Sequence, residues 1–204
     1  MLFDDTYRTI AELSEGEFKD RGSKFLAFLY PIEKESEVKE LLERLRTQHP
    51  KARHFCWAWR LSPDRTIFRI NDDGEPSGTA GRPILNALLS QDITDVLAVV
   101  VRYFGGSLLG VPGLINAYKS AVQDALSRAP ILEKTVNSVY EWRFPPERMN
   151  DVMRIIKEED LKLLSNDYDQ GCVLEVEIRQ LLIQKVLDRL QTIHELKARF
   201  ITNN

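Results

Sequence analysis

Two glycine-rich turns, separated by a short helical pattern and one continuous apolar run, restrict the possible folds of this chain more than any other stretch. The first turn covers residues 74–81, GEPSGTAG, and the second covers residues 105–110, GGSLLG. Six of the ten glycines lie between Gly78 and Gly113. Glycine weakens regular structure, so this cluster indicates unusual backbone dihedrals or a close approach to other backbone or to a ligand. The apolar run, residues 96–101, lacks polar alternation and predicts a central strand that is covered on both faces.

The residues around these turns alternate between strand and helix patterns. The helix pattern at 33–48 has apolar residues three, four and seven positions after Val38, at Leu41, Leu42 and Leu45. The proline at position 83 fits the first turn of a helix. The predicted strands are 7–18, 24–32, 53–60, 66–70 and 95–103, and the predicted helices are 33–48, 83–90 and 114–128.

A linker is predicted at residues 129–135, and a compact βαββαβ pattern follows it. Its strands are predicted at 138–144, 161–167, 172–178 and 195–200, its helices at 146–158 and 182–190, and a turn at 169–171. This order of elements is the ferredoxin-like arrangement. The sequence therefore predicts an α+β protein with an N-terminal domain over 1–134 and a ferredoxin-like domain over 135–204.

Composition excludes several classes of protein. The 204 residues are 43% hydrophobic and 29% charged, as in ordinary globular proteins. The net charge of −3 argues against strong non-specific nucleic-acid binding, and no preference for DNA is inferred. No apolar run is long enough to span a membrane, and the first residues lack a signal-peptide pattern. Two distant cysteines indicate neither a disulfide framework nor a cysteine-rich metal site, so we expect a cytoplasmic protein without a cofactor.

The second glycine turn is a candidate anion site, because a strand, a glycine turn and a helix start follow one another. A helix N-terminus with free amides can hold a phosphate. The spacing matches neither a dinucleotide-binding nor a P-loop motif, and a tight turn that packs the helix on the sheet remains the alternative. The residues assigned to this site are Arg102, Tyr103, Gly105, Gly106, Ser107 and Gly110.

The first glycine turn offers a second set of candidate ligands. Its phosphate-binding candidates are Ser77, Gly78, Thr79, Gly81 and Arg82, with Lys24 as a further contact from the hairpin. Three carboxylates, Asp72, Asp73 and Glu75, form a possible metal site that could hold Mg²⁺ with most of its water shell. Alternatively, these carboxylates cap the amides of their own turn.

His54 and Cys56 point to the same face of one predicted strand. A catalytic pair would need hydrogen-bond contact, whereas residues two apart on a strand lie about 6–7 Å apart. A buried cysteine beside a hydrogen-bonded histidine is the alternative. The sequence contains no recognisable catalytic signature, so the catalytic residues remain unknown and a non-enzymatic role is favoured.

With these motifs together, the chain resembles the YigZ/IMPACT family in its bacterial two-domain form. The segments that carry the resemblance are SKF (23–25), ARHFCWA (52–58), DDGEPSGTAG (72–81) and RYFGGSLLG (102–110). The resemblance implies an N-terminal domain of the type found in a small-subunit ribosomal protein and in domain IV of elongation factor G, with a βαβ core. It implies a ferredoxin-like second domain, and eukaryotic members of the family regulate translation under starvation.

We therefore expect an RNA- or ribosome-associated factor that regulates translation and binds phosphate in a cleft between the two turns. In that cleft Arg82 and Arg102 would supply charge, and Tyr103 would stack on a base. Translation-related proteins are further expected partners. The alternatives are an enzyme acting on a small phosphorylated or nucleotide substrate, with Asp72, Asp73 or Glu75 holding Mg²⁺ or acting as base, and a protein-interaction adaptor.

Overall fold

The computed structural model describes residues 5–168 and 171–203, which form two compact units. The larger unit comprises residues 7–134, and the smaller comprises residues 135–203 together with Asp5 and Thr6. The predicted turn at 169–171 falls in part on residues 169 and 170, which lie outside the described residues.

The larger unit is built on a five-stranded sheet in which every neighbouring pair is antiparallel. The strands of this unit are β1 (Thr6–Ile10), β2 (Ser14–Asp20), β3 (Ser23–Pro31), β4 (His54–Leu61), β5 (Ile67–Asn71), β6 (Val96–Tyr103) and β7 (Ile131–Thr135). The five-stranded sheet has the spatial order β2-β3-β6-β4-β5, and β1 and β7 form a separate two-stranded sheet. The helices are α1 (Glu37–Gln48), α2 (Gly81–Ser90) and α3 (Gly110–Arg128).

The central position of β6 confirms the prediction from its apolar run. Side chains on one face of β6 join a core with α2 and α3, and those on the other face join a core with α1. All six residues from Val96 to Val101 are fully buried. The unit is therefore a helix–sheet–helix sandwich in which the strand before the second glycine turn is held from both sides.

Strand β2 lies directly on the backbone of α3 at Gly16. A Cβ atom built on Gly16 would lie 2.3 Å from the amide nitrogen of Ala125 and 2.8 Å from the carbonyl oxygen of Ala121. Ser14 Oγ donates a hydrogen bond of 2.8 Å to the Ala125 carbonyl at the same contact. Only glycine permits this approach of strand to helix.

Several predicted element boundaries differ from the structure; helix α1, for example, begins at Glu37 rather than at 33, and strand β11 ends at Asn203 rather than at 200. Three further differences have an identifiable physical reason. The single strand predicted at 7–18 is divided into β1 and β2, because the two halves pair with different sheets. The predicted linker at 129–135 contains strand β7, which is mostly exposed and is ordered by backbone pairing with β1 rather than by burial. Helix α3 begins at Gly110 rather than at 114, since a proline at position 112 is compatible with a first helical turn.

The smaller unit confirms the ferredoxin-like prediction. Its strands are β8 (Asn137–Phe144), β9 (Lys162–Asp167), β10 (Cys172–Arg179) and β11 (Lys197–Asn203). They form a sheet of order β11-β8-β10-β9 with antiparallel neighbours, and the helices pack on one face of it. The helices are α4 (Met149–Glu158) and α5 (Ile183–Leu190), each preceded by a short 3₁₀ turn.

Asp5 belongs with the smaller unit, although the predicted boundary assigns it to the N-terminal domain. Its carboxylate accepts hydrogen bonds of 2.8 and 2.7 Å from the Arg179 guanidinium and one of 3.2 Å from the Leu181 amide. Its carbonyl accepts a 2.7 Å hydrogen bond from the Val136 amide. The hydrogen bond from Arg179 lowers the pKa of Asp5, so the carboxylate stays ionised at neutral pH.

Within residues 5–168 and 171–203, no helix is both long and apolar enough to cross a lipid bilayer.

The contact at Gly16 predicts a large effect of a small substitution. We expect Gly16→Ala to lower the free energy of unfolding by about 1–3 kcal/mol, because the added methyl group must displace α3 backbone. Urea denaturation would measure the loss. Glu15→Ala, at an exposed position of the same strand, is the control and should change stability by no more than about 0.5 kcal/mol. Equal stability of the two variants would contradict the close packing of β2 on α3.

Candidate functional site

The carboxylate of Asp72 occupies the amide-rich end of α2. It accepts hydrogen bonds from the backbone amides of Gly78 at 2.9 Å, Ala80 at 3.1 Å and Gly81 at 2.8 Å. These are the amides that would otherwise bind a phosphate at this helix start. The capping interpretation of Asp72 is therefore confirmed, and the anion at this position is the protein's own side chain.

The carboxylate of Asp73 binds groups on β4 and α1 rather than the start of α2. Its carboxylate accepts a 2.7 Å hydrogen bond from the Phe55 amide and two of 3.1 Å from the guanidinium of Arg46 on α1. Arg46 also lies 4.5 Å from the centre of the Phe55 ring, where it makes a cation–π contact. Asp73 thus ties the first glycine turn to α1 on the opposite face of the sheet.

His54 and Cys56 each bind the backbone of this acidic turn rather than each other. His54 Nδ1 lies 2.9 Å from the Asp73 carbonyl oxygen, to which it donates. Cys56 Sγ donates to the Asp72 carbonyl oxygen at 3.0 Å. Two side chains on the same face of β4 therefore donate hydrogen bonds to two successive backbone carbonyls. This geometry agrees with a buried cysteine beside a hydrogen-bonded histidine, and not with a catalytic nucleophile bonded to its base.

Glu75 and Arg102 form a buried ion pair that connects the two glycine turns. Their side chains are only 4% and 6% exposed. The Tyr118 hydroxyl, from α3, donates to the same Glu75 oxygen, Oε1, at 2.8 Å. Glu75 belongs to the first turn and Arg102 lies three residues before the second, so this one carboxylate joins both turns to α3.

Aromatic rings surround the guanidinium of Arg102. Its central carbon lies 5.4 Å from the centre of the Phe25 ring and 5.6 Å from that of Phe104. The residue is 5% exposed, so its charge is directed into the fold and not towards a solvent-borne phosphate. The buried position of Arg102 therefore does not match its predicted role as a phosphate ligand. Its guanidinium instead pairs with Glu75 inside the fold.

The buried hydroxyl and thiol beside this pair are held in their neutral forms. Burial raises the pKa of the Cys56 thiol, and burial raises the pKa of the Tyr118 hydroxyl, with the nearby Cys56 adding to the latter effect. Cys56 Sγ lies 3.3 Å from the Tyr118 hydroxyl oxygen. A thiolate nucleophile needs the opposite shift, so Cys56 has the properties of a structural cysteine.

The second glycine turn packs its backbone against the β2–β3 hairpin. A Cβ atom on Gly105 would lie 1.9 Å from the carbonyl carbon of Gly22, which explains the glycine at 105. The Gly105 amide donates to Ser23 Oγ at 3.1 Å, and Arg21 Nη1 reaches the Leu108 carbonyl at 3.5 Å. Hairpin and loop together form one surface feature.

We call this feature the glycine tip and define it as Arg21 together with residues 104–108. Phe104 is 46% exposed and Leu108 is 84% exposed. Gly106 and Ser107 are exposed, and within the described residues their amides donate no hydrogen bond. The tip therefore presents an aromatic ring, a leucine, a guanidinium and free backbone donors on a rigid base.

The remaining candidate residues are dispersed over the larger unit. Lys24 forms a 3.2 Å ion pair with Glu17, and Tyr103 binds His49 Nδ1 through its hydroxyl at 2.9 Å. Thr79 is buried and donates to a carbonyl of its own turn at 2.7 Å. The other predicted ligands lie at the surface or at a helix start and are Ser77, Arg82 and Gly110.

No group of three or more histidine, cysteine, aspartate or glutamate side chains is arranged to hold a metal ion in the part of the chain that the structure describes. Asp72, Asp73 and Glu75 point to three different sets of partners, which accounts for the absence of a shared ligand position.

Three residues of this network did not emerge from the sequence as site residues. Tyr118 belongs to the apolar stripe of α3. Its hydroxyl is the only sequence signal of a further role, because a buried tyrosine hydroxyl requires a hydrogen-bond partner. Arg46 fits the charged face of α1, and Arg21 fits a solvent-exposed turn. Only the folded chain brings them to the two glycine turns.

The buried ion pair leads to a stability prediction. We expect Glu75→Gln to cost about 3–5 kcal/mol, because it leaves the Arg102 charge buried without a counter-charge. Chemical denaturation would measure this cost, and Arg102→Met added to Glu75→Gln should recover part of it. The exposed pair of Glu35 and Arg69 provides the control, since Glu35→Gln should cost at most about 1 kcal/mol. Similar losses for the two glutamine variants would contradict the structural role of Glu75.

The cysteines lead to a second prediction. Cys56 is fully buried and Cys172 is 5% exposed, so we expect the native protein to react slowly with a thiol-specific disulfide reagent. In denaturing urea both thiols should react at once. Rapid labelling of Cys56 in the native protein, identified by mass spectrometry, would be inconsistent with its assigned role.

The segments that form this network lie within the part of the chain that matches a known protein family. The family model described as the Impact N-terminal domain matches residues 21–126. The IMPACT family member YvyE of Bacillus subtilis is 31% identical over 86% of this chain and 81% of its own length. YigZ of Escherichia coli is 34% identical over 76% of this chain and 78% of its own length. A crystal structure of a hypothetical protein covers 98% of each chain with a TM-score of 0.71 and 28% identity. The chain that joins its two glycine turns through Glu75 and Arg102 therefore belongs to the IMPACT family.

Proposed function

We propose that this protein is a ribosome-associated regulator of translation that contacts RNA through the glycine tip. The observation that carries the proposal is the exposure of Phe104 and Leu108, 46% and 84%, on a loop anchored at both ends by buried structure. A rigid scaffold that presents an exposed loop is a common arrangement for binding residues. The role in translation rests on the family resemblance.

The chemistry of the tip suits RNA. An exposed aromatic ring stacks on unpaired bases, and an arginine beside it pairs with phosphate or stacks as well. The free amides of Gly106 and Ser107 are additional donors to phosphate oxygens. Arg21 is 62% exposed at its side chain, so its charge is available to a ligand.

This proposal relocates the contact from a cleft between the two turns to the outer surface of the second turn. Asp72 and Glu75 occupy the polar groups that such a cleft would offer. Of the cleft residues, Ser77, Arg82 and Ser107 remain exposed and are proposed as secondary contacts. Lys24 is 42% exposed and is a further candidate.

Ribosome co-sedimentation at low and high salt tests the proposal. We expect the wild-type protein to bind in a salt-sensitive manner. The double variant Phe104→Ala and Arg21→Ala should bind about tenfold more weakly, since stacking on one base contributes roughly 1–3 kcal/mol. The matched control is Phe68→Ala with Arg69→Ala, because Phe68 is 45% exposed and the Arg69 side chain 66% exposed.

The outcomes separate the parts of the proposal. If wild-type protein stayed in the supernatant at both salt concentrations, ribosome association would be excluded. If it sedimented and both double variants sedimented equally well, the glycine tip would be the wrong contact surface.

A protein-interaction adaptor is the second candidate, and the apolar surface beside the tip favours it. Val111 is 52% exposed and Ile115 is 39% exposed, and the two lie four residues apart on α3, so they are neighbours on one face of that helix. Contiguous exposed apolar side chains are typical of protein-binding sites. Nuclease treatment distinguishes the candidates, because a protein partner would be retained after RNA is digested.

A further inference from the structure

We propose that a basic cavity in the smaller unit binds a phosphate group, either free or carried by RNA. The cavity lies between the start of α4 and the end of α5 and has a volume of about 280 Å³. Residues of both helical segments line it, and none of them belongs to the glycine turns. The site is separate from the tip described above and does not depend on the function proposed for it.

The charge of the lining is unusual for this unit. Residues 136–204 carry ten lysines and arginines against twelve aspartates and glutamates. The cavity is nevertheless lined by three arginines, Arg148, Arg154 and Arg189, and by a single carboxylate, that of Asp151. The lining residues therefore carry a net positive charge on an otherwise slightly acidic unit, as recognition of an anion requires, although two glutamates outside the lining offset part of it by pairing with Arg189.

The three guanidinium groups differ in how firmly they are already paired. Arg148 forms no ion pair within the described residues. Arg154 contacts Asp151 at 3.4 Å with both side chains largely exposed, a pairing that stabilises little. These two guanidinium groups retain donors for a ligand, and arginine offers them in the fork geometry that matches phosphate oxygens.

Arg189 has a different role, because it is held in place. Glu158 and Glu159 accept hydrogen bonds from it, and these bonds raise the pKa of its guanidinium. Lys185 shares Glu159 at 2.6 Å. The network fixes one wall of the cavity before any ligand arrives, which lowers the entropy cost of binding.

The size and floor of the cavity limit the ligand. Ile155 and Ile193, which are 4% and 9% exposed, form the apolar part of its lining. A volume near 280 Å³ lies just below the range for small-molecule sites, which is about 300–1,000 Å³. The cavity therefore suits one phosphate group with its immediate substituent rather than a whole dinucleotide.

NMR titration of the full chain tests the site. Inorganic phosphate is added at constant ionic strength with chloride as the competing anion, and backbone amide shifts are followed. We expect saturable shifts at Arg148, Asp151 and Thr192, which line the cavity. Cytidine monophosphate and a short single-stranded RNA are the second and third probes, and their relative affinities identify the source of the phosphate.

Arg148→Gln is the decisive variant, with Lys157→Gln as its control. Lys157 is exposed near the end of α4, about 13 Å along the helix axis from Arg148, which immediately precedes that helix, and it does not line the cavity. The loss of one charge-assisted contact should raise the apparent Kd of the probes about tenfold in Arg148→Gln. The control removes the same positive charge from an exposed position that does not line the cavity and lies farther from Arg148 than the Debye length, so it should change the Kd by less than about twofold.

Saturable shifts that weaken only in Arg148→Gln would establish the site. The absence of saturable shifts with all three probes, or equal weakening in both variants, would overturn it. Ribosome co-sedimentation of Arg148→Gln is a separate measurement, so failure of the tip proposal and failure of the cavity proposal are distinguishable.

Discussion

The ion pair between Glu75 and Arg102 is the interaction on which the larger unit depends. A single buried carboxylate receives the guanidinium of β6 and the hydroxyl of Tyr118 on α3, so two turns and a helix meet at one atom. Charges this deeply buried are tolerated only when they are paired and hydrogen-bonded. The clustered glycines have local causes of their own: Gly78, Gly106 and Gly110 have positive φ, and the remaining close contacts are those of Gly81 and Gly105 with neighbouring backbone.

The polar groups of the two motif segments are therefore directed mainly inwards. Asp72 satisfies the amides at the start of α2, while His54 and Cys56 satisfy the carbonyls of Asp72 and Asp73. A motif rich in aspartate, histidine, cysteine and glycine suggests catalysis when read as a list of residue types. In the fold it is a set of reciprocal hydrogen bonds that holds one loop, and the surface left for a ligand is the small part not consumed by these bonds.

Much of the architecture followed from pattern alone. The apolar run of β6 predicted its central place, and the βαββαβ order predicted the sheet of the smaller unit, because both signals are local and periodic. The two-stranded sheet of β1 and β7 did not follow, since exposed residues in β7 carry no periodic apolar signal and pairing over more than a hundred residues has no local trace. The start of α3 was predicted four residues too late, because its first turn, residues 110–113, contains two glycines and a proline and therefore lacks a helical apolar pattern.

For the site, the sequence by itself determined which segments matter: residues 72–81 and 102–110, with the His54 and Cys56 strand beside them. It also determined that the turns need glycine. Only the tertiary structure decided what each polar group does, because hydrogen bonds between positions 72 and 81 or 75 and 102 depend on how strands and helices pack. An exposed arginine at position 102 would be able to bind phosphate, but the folded chain buries Arg102, and its charge is paired with Glu75. Burial depends on the whole fold and cannot be read from the local sequence.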